Sequence, residues 1–265
     1  MMLKDNILEY VPKRPCPVAS CCFATPAEPV DVKALIPDAN LRRRMGPLLR
    51  LAAACGMSAL GNVNPDNVAG IITSTGLGFM KDTVSFADML IDRNEEMLNP
   101  SPFMQSTFNT VSGYIALLGG IRTYNTAYVH RSGGFAAALT DAMMLVEDGN
   151  VLVGGFDEAS PEVDEYRRKL GCWKRGDFLP LGEGAGFLCL GGVDNGVRIL
   201  GVYSSRSGLT CDNEVLCSSY VERLGAFFSI LSVVLCIVIG QRPQGKILVV
   251  DDVNPGGPAM LLEID

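Results

Sequence analysis

Histidine and tryptophan each occur once in 265 residues. With His130 as the sole imidazole, no mechanism that needs two histidines can run within one copy of the chain. A zinc site would have to be nearly all cysteine, and the nine cysteines, at positions 16, 21, 22, 55, 172, 189, 211, 217 and 236, include no Cys-x-x-Cys pair. They are odd in number, and several lie inside apolar runs such as Val234-Leu-Cys-Ile-Val238. They therefore read as buried, reduced thiols of a cytoplasmic protein, and neither a metal nor a cofactor is expected.

Positive charge is also scarce: 22 Lys and Arg against 29 Asp and Glu leave a net charge of −7. Nucleic-acid binding requires a basic footprint, so that class is excluded. The local clusters Arg42–Arg44 and Arg167–Lys169 read as solvated helix faces, with docking of an acidic carrier protein as the alternative. Long apolar runs are nearly missing. Leu224 to Gly240 is seventeen residues without charge, whereas a membrane span takes about 20. It contains Ser229 and Ser232 and reads as a buried core helix, with membrane contact as the less favoured reading. Lys4, Asp5 and Glu9 come early with no long apolar stretch, so no signal peptide is expected. Charged residues at 19% and apolar residues at 48% describe a globular chain, long enough to bury a substantial core.

Along the chain, helical and strand patterns alternate. Leu41 to Leu60 reads as an amphipathic helix stopped by Gly61, and Val68 to Ser74 as a strand. Gly76-Leu-Gly78 lacks the third glycine of a phosphate loop and reads as a tight turn. Asp82 to Leu98 reads as a helix, and Asn99-Pro-Ser-Pro102 as a break. Ser101 is the expected cap of a helical region ending at Gly119-Gly120. Thr123 to Val129 reads as a strand, His130 to Glu147 as a helix apolar on every face, and Val151 to Gly155 as a strand. Trp173, beside Lys174 and Arg175, reads as a partly exposed loop aromatic. Gly182-Glu-Gly-Ala-Gly186 reads as a strand start with close backbone packing, with Glu183 as a structural acceptor. Phe187 to Leu190 and Arg198 to Ser204 are further strands. Lys246 to Val250 and Ala259 to Ile264 flank Asp251–Pro258 as a hairpin. Such alternation, with nearly all-apolar strands, predicts an α/β fold whose sheet is covered on both faces. His130 stands at a strand-to-helix junction, where the first free N–H groups and the helix dipole favour negative charge.

Four runs then carry a resemblance: Phe103-Met-Gln-Ser-Thr-Phe-Asn-Thr-Val-Ser-Gly-Tyr-Ile-Ala-Leu117; the strand into His130; Val151-Leu-Val-Gly-Gly-Phe-Asp-Glu158; and Leu181-Gly-Glu-Gly-Ala-Gly-Phe187. In this order and spacing they resemble the N-terminal half of a β-ketoacyl synthase, and Asn254-Pro-Gly-Gly-Pro-Ala-Met-Leu-Leu-Glu263 resembles that family's glycine-rich turn and last strand. The resemblance implies a thiolase-like, layered α-β-α-β-α fold with an abbreviated C-terminal half. It also implies one domain over 1–265, with 1–195 as the ketosynthase-like half and 196–265 as the shortened one. The implied dimer strand is Arg122 to Val129, meeting a ketosynthase partner or a second copy. An acyl carrier protein is the implied substrate carrier.

The family's nucleophile is a cysteine at the mouth of the buried helix, assisted by two histidines. Here that position is His130, and no second histidine exists. A thiolate stabilised by a helix N-terminus is what makes such a cysteine nucleophilic. The resemblance therefore points to a chain-length-factor-type subunit of fatty-acid or polyketide-type biosynthesis, not an enzyme on its own. Tyr128-Val-His-Arg131 is most similar to the short forms of aryl polyene or flexirubin-type pathways. Two alternatives stand beside it: a 3-oxoacyl synthase-type acyltransferase using His130 as base or acyl acceptor, and a non-catalytic structural homologue. The implied substrate tunnel is lined by Gln105, Ser106, Asn109, Arg131, Phe135, Asn254, Gly256 and Gly257. Gln105, Ser106 and Asn109 read equally as caps and bridges between helices, and Phe135 as a gate.

Overall fold

The computed structural model describes residues 9–204, 206 and 208–265. A short strand β1 (Glu9–Tyr10) precedes the long β2 (Cys16–Ala24). Two short helices follow, α1 (Val32–Leu35) and α2 (Ala39–Arg44), each begun by an aspartate whose carboxylate takes the first free N–H groups. The expected helix from Leu41 to Leu60 is two helices. Pro47 has no N–H to donate and keeps Gly46 extended, so α2 stops and α3 (Pro47–Leu60) starts afresh with proline in its first turn. Gly61 ends α3 as expected.

Next come β3 (Val68–Thr75), α4 (Met80–Asp92), α5 (Pro100–Ser106) and α6 (Thr110–Gly119). The expected helix to Leu98 ends at Asp92, because Asn94, Glu95 and Met97 take positive φ. The cap of α5 is Asn99, which accepts the Ser101 N–H, and not Ser101 itself. Gly120 closes α6 in the left-handed conformation. Strand β4 (Tyr124–Val129), helix α7 (Gly134–Leu145), strand β5 (Asn150–Asp157) and helix α8 (Pro161–Leu170) follow.

A small hairpin, β6 (Lys174–Arg175) and β7 (Asp177–Phe178), leads to β8 (Gly184–Leu190), β9 (Val197–Tyr203) and β10 (Asn213–Leu216). The apolar run after Arg223 is broken. Helix α9 (Val221–Leu224) stops at Gly225, φ +73°, and α10 (Ile230–Gln241) is buried from Ile230 to Ile239. Among the described residues no helix is long and apolar enough to cross a membrane. Strands β11 (Gly245–Val250) and β12 (Ala259–Ile264) form the expected antiparallel hairpin.

The strands run in the order β10-β11-β12-β9-β2-β8-β5-β3-β4, with β1 also on β9. Strand β2 changes partner midway: Cys16 and Pro17 pair with β9, and Val18 onward pairs with β8. It thereby joins two sheets. Helices α3 and α6 cover one face of β2-β8-β5-β3-β4, over Ile71, Leu152, Phe156 and Phe187. The opposite face carries α7 and α10, which also meet the inward side chains of the second sheet: Val197, Ile199, Ile247, Val249, Met260 and Leu262. The layers are thus helix, sheet, helix, sheet. The outer face of the second sheet holds Tyr203, Leu248, Val250, Ala259 and Leu261 under Leu209, Cys211 and Leu216, with no helix there among the described residues. Of the five layers expected, the outermost helical one is absent among the described residues.

Helix α7 is not buried all round, as its composition suggested. Ala137, Thr140, Asp141 and Met144, one stripe at helical spacing, are partly or fully exposed. Helix α10 lies unusually close to the first sheet. A Cβ on Gly186 would stand 2.5 Å from the Ser232 carbonyl, and backbone cannot move aside as a side chain can. Gly186→Ala should therefore lower stability by about 3 kcal/mol, read as a Tm drop on the order of 10 °C. Gly113→Ala, on a helix with nothing within 4 Å of its new methyl, should leave Tm unchanged or raise it. Equal Tm values for the two variants would contradict the close approach.

Candidate functional site

The helix that follows β4 begins at Gly134, not at His130. His130 occupies the intervening turn, exposed to solvent. Its backbone N–H donates to the Thr75 carbonyl (3.2 Å), and its Nδ1 accepts the Gly133 N–H (3.0 Å). The ring thus caps the approach to α7. With the Nδ1 lone pair engaged, the proton of the neutral ring belongs on Nε2, and neither nitrogen offers a free lone pair. Behind the turn, Ser74 is buried and its hydroxyl has no hydrogen-bond partner.

Thr75 and Gly76 are held by Asp157, at the end of β5. Its Oδ1 accepts from Thr75 Oγ1 (3.0 Å) and the Gly76 N–H (2.8 Å), and its Oδ2 from the Ser229 N–H (2.6 Å) at the start of α10. Burial pushes this carboxyl above the usual range, while the donors pull it back. Phe228 lies directly on Gly76, where a Cβ would come within 2.3 Å of its ring. Trp173 packs against Phe228 with its ring tilted by 49° and 4.6 Å between centroids.

Trp173 is a buried residue, contrary to its loop-aromatic reading, at 4% exposure and φ +56°. Its Nε1–H donates to Asn254 Oδ1 at 2.8 Å. The Asn254 amide donates in turn to the carbonyls of Phe227 (3.3 Å) and Phe228 (3.1 Å) and to Asp251 Oδ2 (2.8 Å). Asn254 is therefore fully committed to holding the α10 approach, the hairpin and Trp173 together. Sequence reasoning missed Trp173, Phe228 and Asp157. Only Asp157 left a signal, because a carboxylate ending an all-apolar strand must find donors.

The other expected tunnel residues are placed as follows. Gln105 bridges α5 to the α2–α3 junction, accepting from the Gly46 N–H (2.8 Å) and donating to the Arg44 carbonyl (2.7 Å). Ser106 donates to the Phe103 carbonyl within its own helix. Asn109 is exposed at the start of α6 and makes no side-chain cap bond. Arg131 is exposed, its guanidinium bonded to the Tyr166 hydroxyl at 3.3 Å. Phe135 is buried in the core between α7 and α10. Gly256 is an exposed turn residue, and Gly257 sits where a Cβ would meet the Asp251 carbonyl at 2.1 Å. Glu183 is the structural acceptor expected of it, taking the Ala159 N–H at 3.0 Å.

Clefts of about 900, 370 and 240 Å³ open elsewhere: beside Lys13, Arg14 and Met143; beside Glu183 and Arg223; and beside Trp173 and Asn254. His130 lines none of them.

Comparison with known proteins gives a consistent family. The profile described as Beta-ketoacyl synthase, N-terminal domain, matches residues 17–170, more than half of the chain. No curated protein matches. Among solved structures, the ishigamide ketosynthase/chain length factor aligns with a TM-score of 0.73 at 14% identity, covering 95% of this chain and 99% of that one. A ketosynthase in complex with its chain length factor from Xenorhabdus doucetiae aligns at 0.61 and 16% identity, covering 95% and 100%. A β-ketoacyl synthase from Burkholderia phymatum STM815 aligns at 0.66 and 10% identity, with the same coverage. At these identities the structures speak to the fold, which is thiolase-like.

Asp251, which props Asn254, is nearly buried, and desolvation raises its carboxyl to about 6 from an ordinary 3.8. Its folded-state pKa lies above the unfolded one, so its contribution to stability is fully present below 3.8 and is lost as pH rises through about 6. Two units correspond to about 3 kcal/mol. Urea unfolding of wild type and Asp251→Asn between pH 4 and 7 should show this decline in wild type and a flatter profile in the variant. Parallel profiles would refute the assignment.

Proposed function

From membership of the β-ketoacyl synthase N-terminal-domain family, to which the chain belongs, we propose that it is a non-condensing, chain-length-factor-type subunit pairing with an active ketosynthase. The observation that carries this reading is His130. It stands where the family keeps its nucleophilic cysteine, and its Nδ1 lone pair is spent on the Gly133 N–H. None of the nine cysteines lies on the turn into α7, so no thiol is available there to take an acyl group from a carrier protein. The space behind the turn is filled by the chain's own Phe135, Phe228 and Trp173. What remains functional is the surface: a helix-backed edge strand, β4, in the position of the family's dimer strand.

The pairing partner on this reading is a β-ketoacyl synthase that accepts chains from an acyl carrier protein. Two of the aligned structures, a ketosynthase/chain length factor and a ketosynthase in complex with its chain length factor, support it. We assign the pathway to the aryl polyene type, on the likeness of Tyr128-Val-His-Arg131 to its short subunits. The acyltransferase alternative is disfavoured by the bond to Nδ1, which removes the lone pair a base or acceptor would use.

Incubated with acyl-loaded carrier protein and no ketosynthase, the purified chain should keep its intact mass. An acyl adduct that disappears in His130→Ala would replace this reading with the acyltransferase one. Co-expressed with its ketosynthase, a tagged chain should recover that partner in equal amounts.

A further inference from the structure

Cys21 and Cys22 are neighbours on β2, so their side chains leave opposite faces of the strand. Each meets a helix that carries a thiol at that spot. Cys22 faces α3, where the Sγ of Cys55 stands 3.1 Å from the Cys22 carbonyl and within hydrogen-bond reach of the Cys22 thiol. Cys21 faces α10, where its Sγ stands 3.8 Å from the Cys236 carbonyl and reaches that residue's thiol. All four thiols are free.

Within each pair the two sulfurs differ in access. Cys21 and Cys22 are partly exposed, whereas Cys55 and Cys236 are buried. The surroundings of the two pairs differ as well. Helix α10 is buried from Ile230 to Ile239, on both sides of Cys236. Helix α3 opens to solvent at Ser58, one turn on from Cys55, and the Ser58 hydroxyl hydrogen-bonds to the Cys22 thiol. The Cys55 thiol pulls Cys22 down to about 7 from an ordinary 9, against the effect of burial, and Ser58 adds to the pull. Burial pushes Cys55 itself well up. A large share of Cys22 is therefore thiolate near neutral pH, and the thiolate is the form that reacts. A reachable thiolate with a buried thiol directly behind it is the arrangement of an attacking and a resolving cysteine.

We propose that Cys22 and Cys55 form a peroxide-responsive dithiol, in which Cys22 takes the oxidising oxygen and Cys55 closes the disulfide. The Cys22 sulfur attacks one oxygen of hydrogen peroxide, the O–O bond breaks, and the released hydroxide leaves as water with the thiol proton. Cys22 is then a sulfenic acid. The Cys55 sulfur attacks that sulfur, the S–O bond breaks, and the departing hydroxide carries off the Cys55 proton as a second water. Two thiols have then given two electrons to one peroxide. The link ties β2 to α3 and closes the loop that holds α1 and α2. None of this depends on the proposed pairing function.

The full native chain, treated with hydrogen peroxide in about ten-fold excess, alkylated and read by intact mass, tests the proposal. Wild type should become two hydrogens lighter, stay a single chain on a non-reducing gel, and return to its starting mass with dithiothreitol. Peptide mapping of the oxidised wild type should join the β2 peptide to the one containing Cys55, a result that needs no variant. Cys55→Ala should instead gain one oxygen, which dimedone traps at Cys22, and Cys22→Ala should yield neither product. An unchanged wild-type mass, a link to the Cys236 peptide in place of the Cys55 one, or disulfides only between copies would overturn the proposal.

Discussion

The buried carboxylate of Asp157 is the point at which the two halves of the fold are tied. One oxygen holds the end of β3 through Thr75 and Gly76, and the other accepts the N–H of Ser229, the residue that precedes α10. The Thr75 carbonyl in turn receives the amide of His130, so the turn into α7 hangs from the same strand end. A carboxylate removed from water is costly unless its lone pairs are filled, and here the donors come from elements that are far apart in sequence. The constraint works only because α10 can come close, which Gly155 and Gly186 allow at the contacts with Ser229 and Ser232.

Once those elements are fixed, the interior behind the His130 turn has little choice of content. Phe228 closes over Gly76, Trp173 packs tilted against it, and Asn254 takes the indole N–H while binding the chain at Phe227 and Phe228. Over this filled core the chain presents the capping imidazole of His130, and the open edge of the first sheet is backed by α7. The two tyrosines that share Asp141 tie that edge to the helix.

The two faces of the second sheet are covered very differently. Its inner face is fully employed against α7 and α10, whereas its outer face is covered by a loop over a small cluster. The first sheet, with a helix layer on each side, keeps its register and its edge.

Local features were legible in the sequence. Gly61 and Gly120 end their helices, the β-branched runs become β3, β4 and β5, the Asp251–Pro258 turn makes a hairpin, and His130 stands between strand and helix, because each depends on backbone preferences of adjacent residues. The bridging use of Gln105 was among the readings left open, and the structure displays that bond. The misread features share one physical cause. Trp173 is flanked by charges yet buried by a partner 81 residues away, the apolar run after Arg223 is cut by a glycine pressed against Gly182, and the α7 stripe is exposed for want of a neighbour. Periodicity and turn chemistry report the backbone near a residue, so the sequence by itself determined the elements, their order and the absence of the family's thiol. Only tertiary structure decided what fills the interior and which edge is left open, because those depend on contacts between segments that local pattern does not encode.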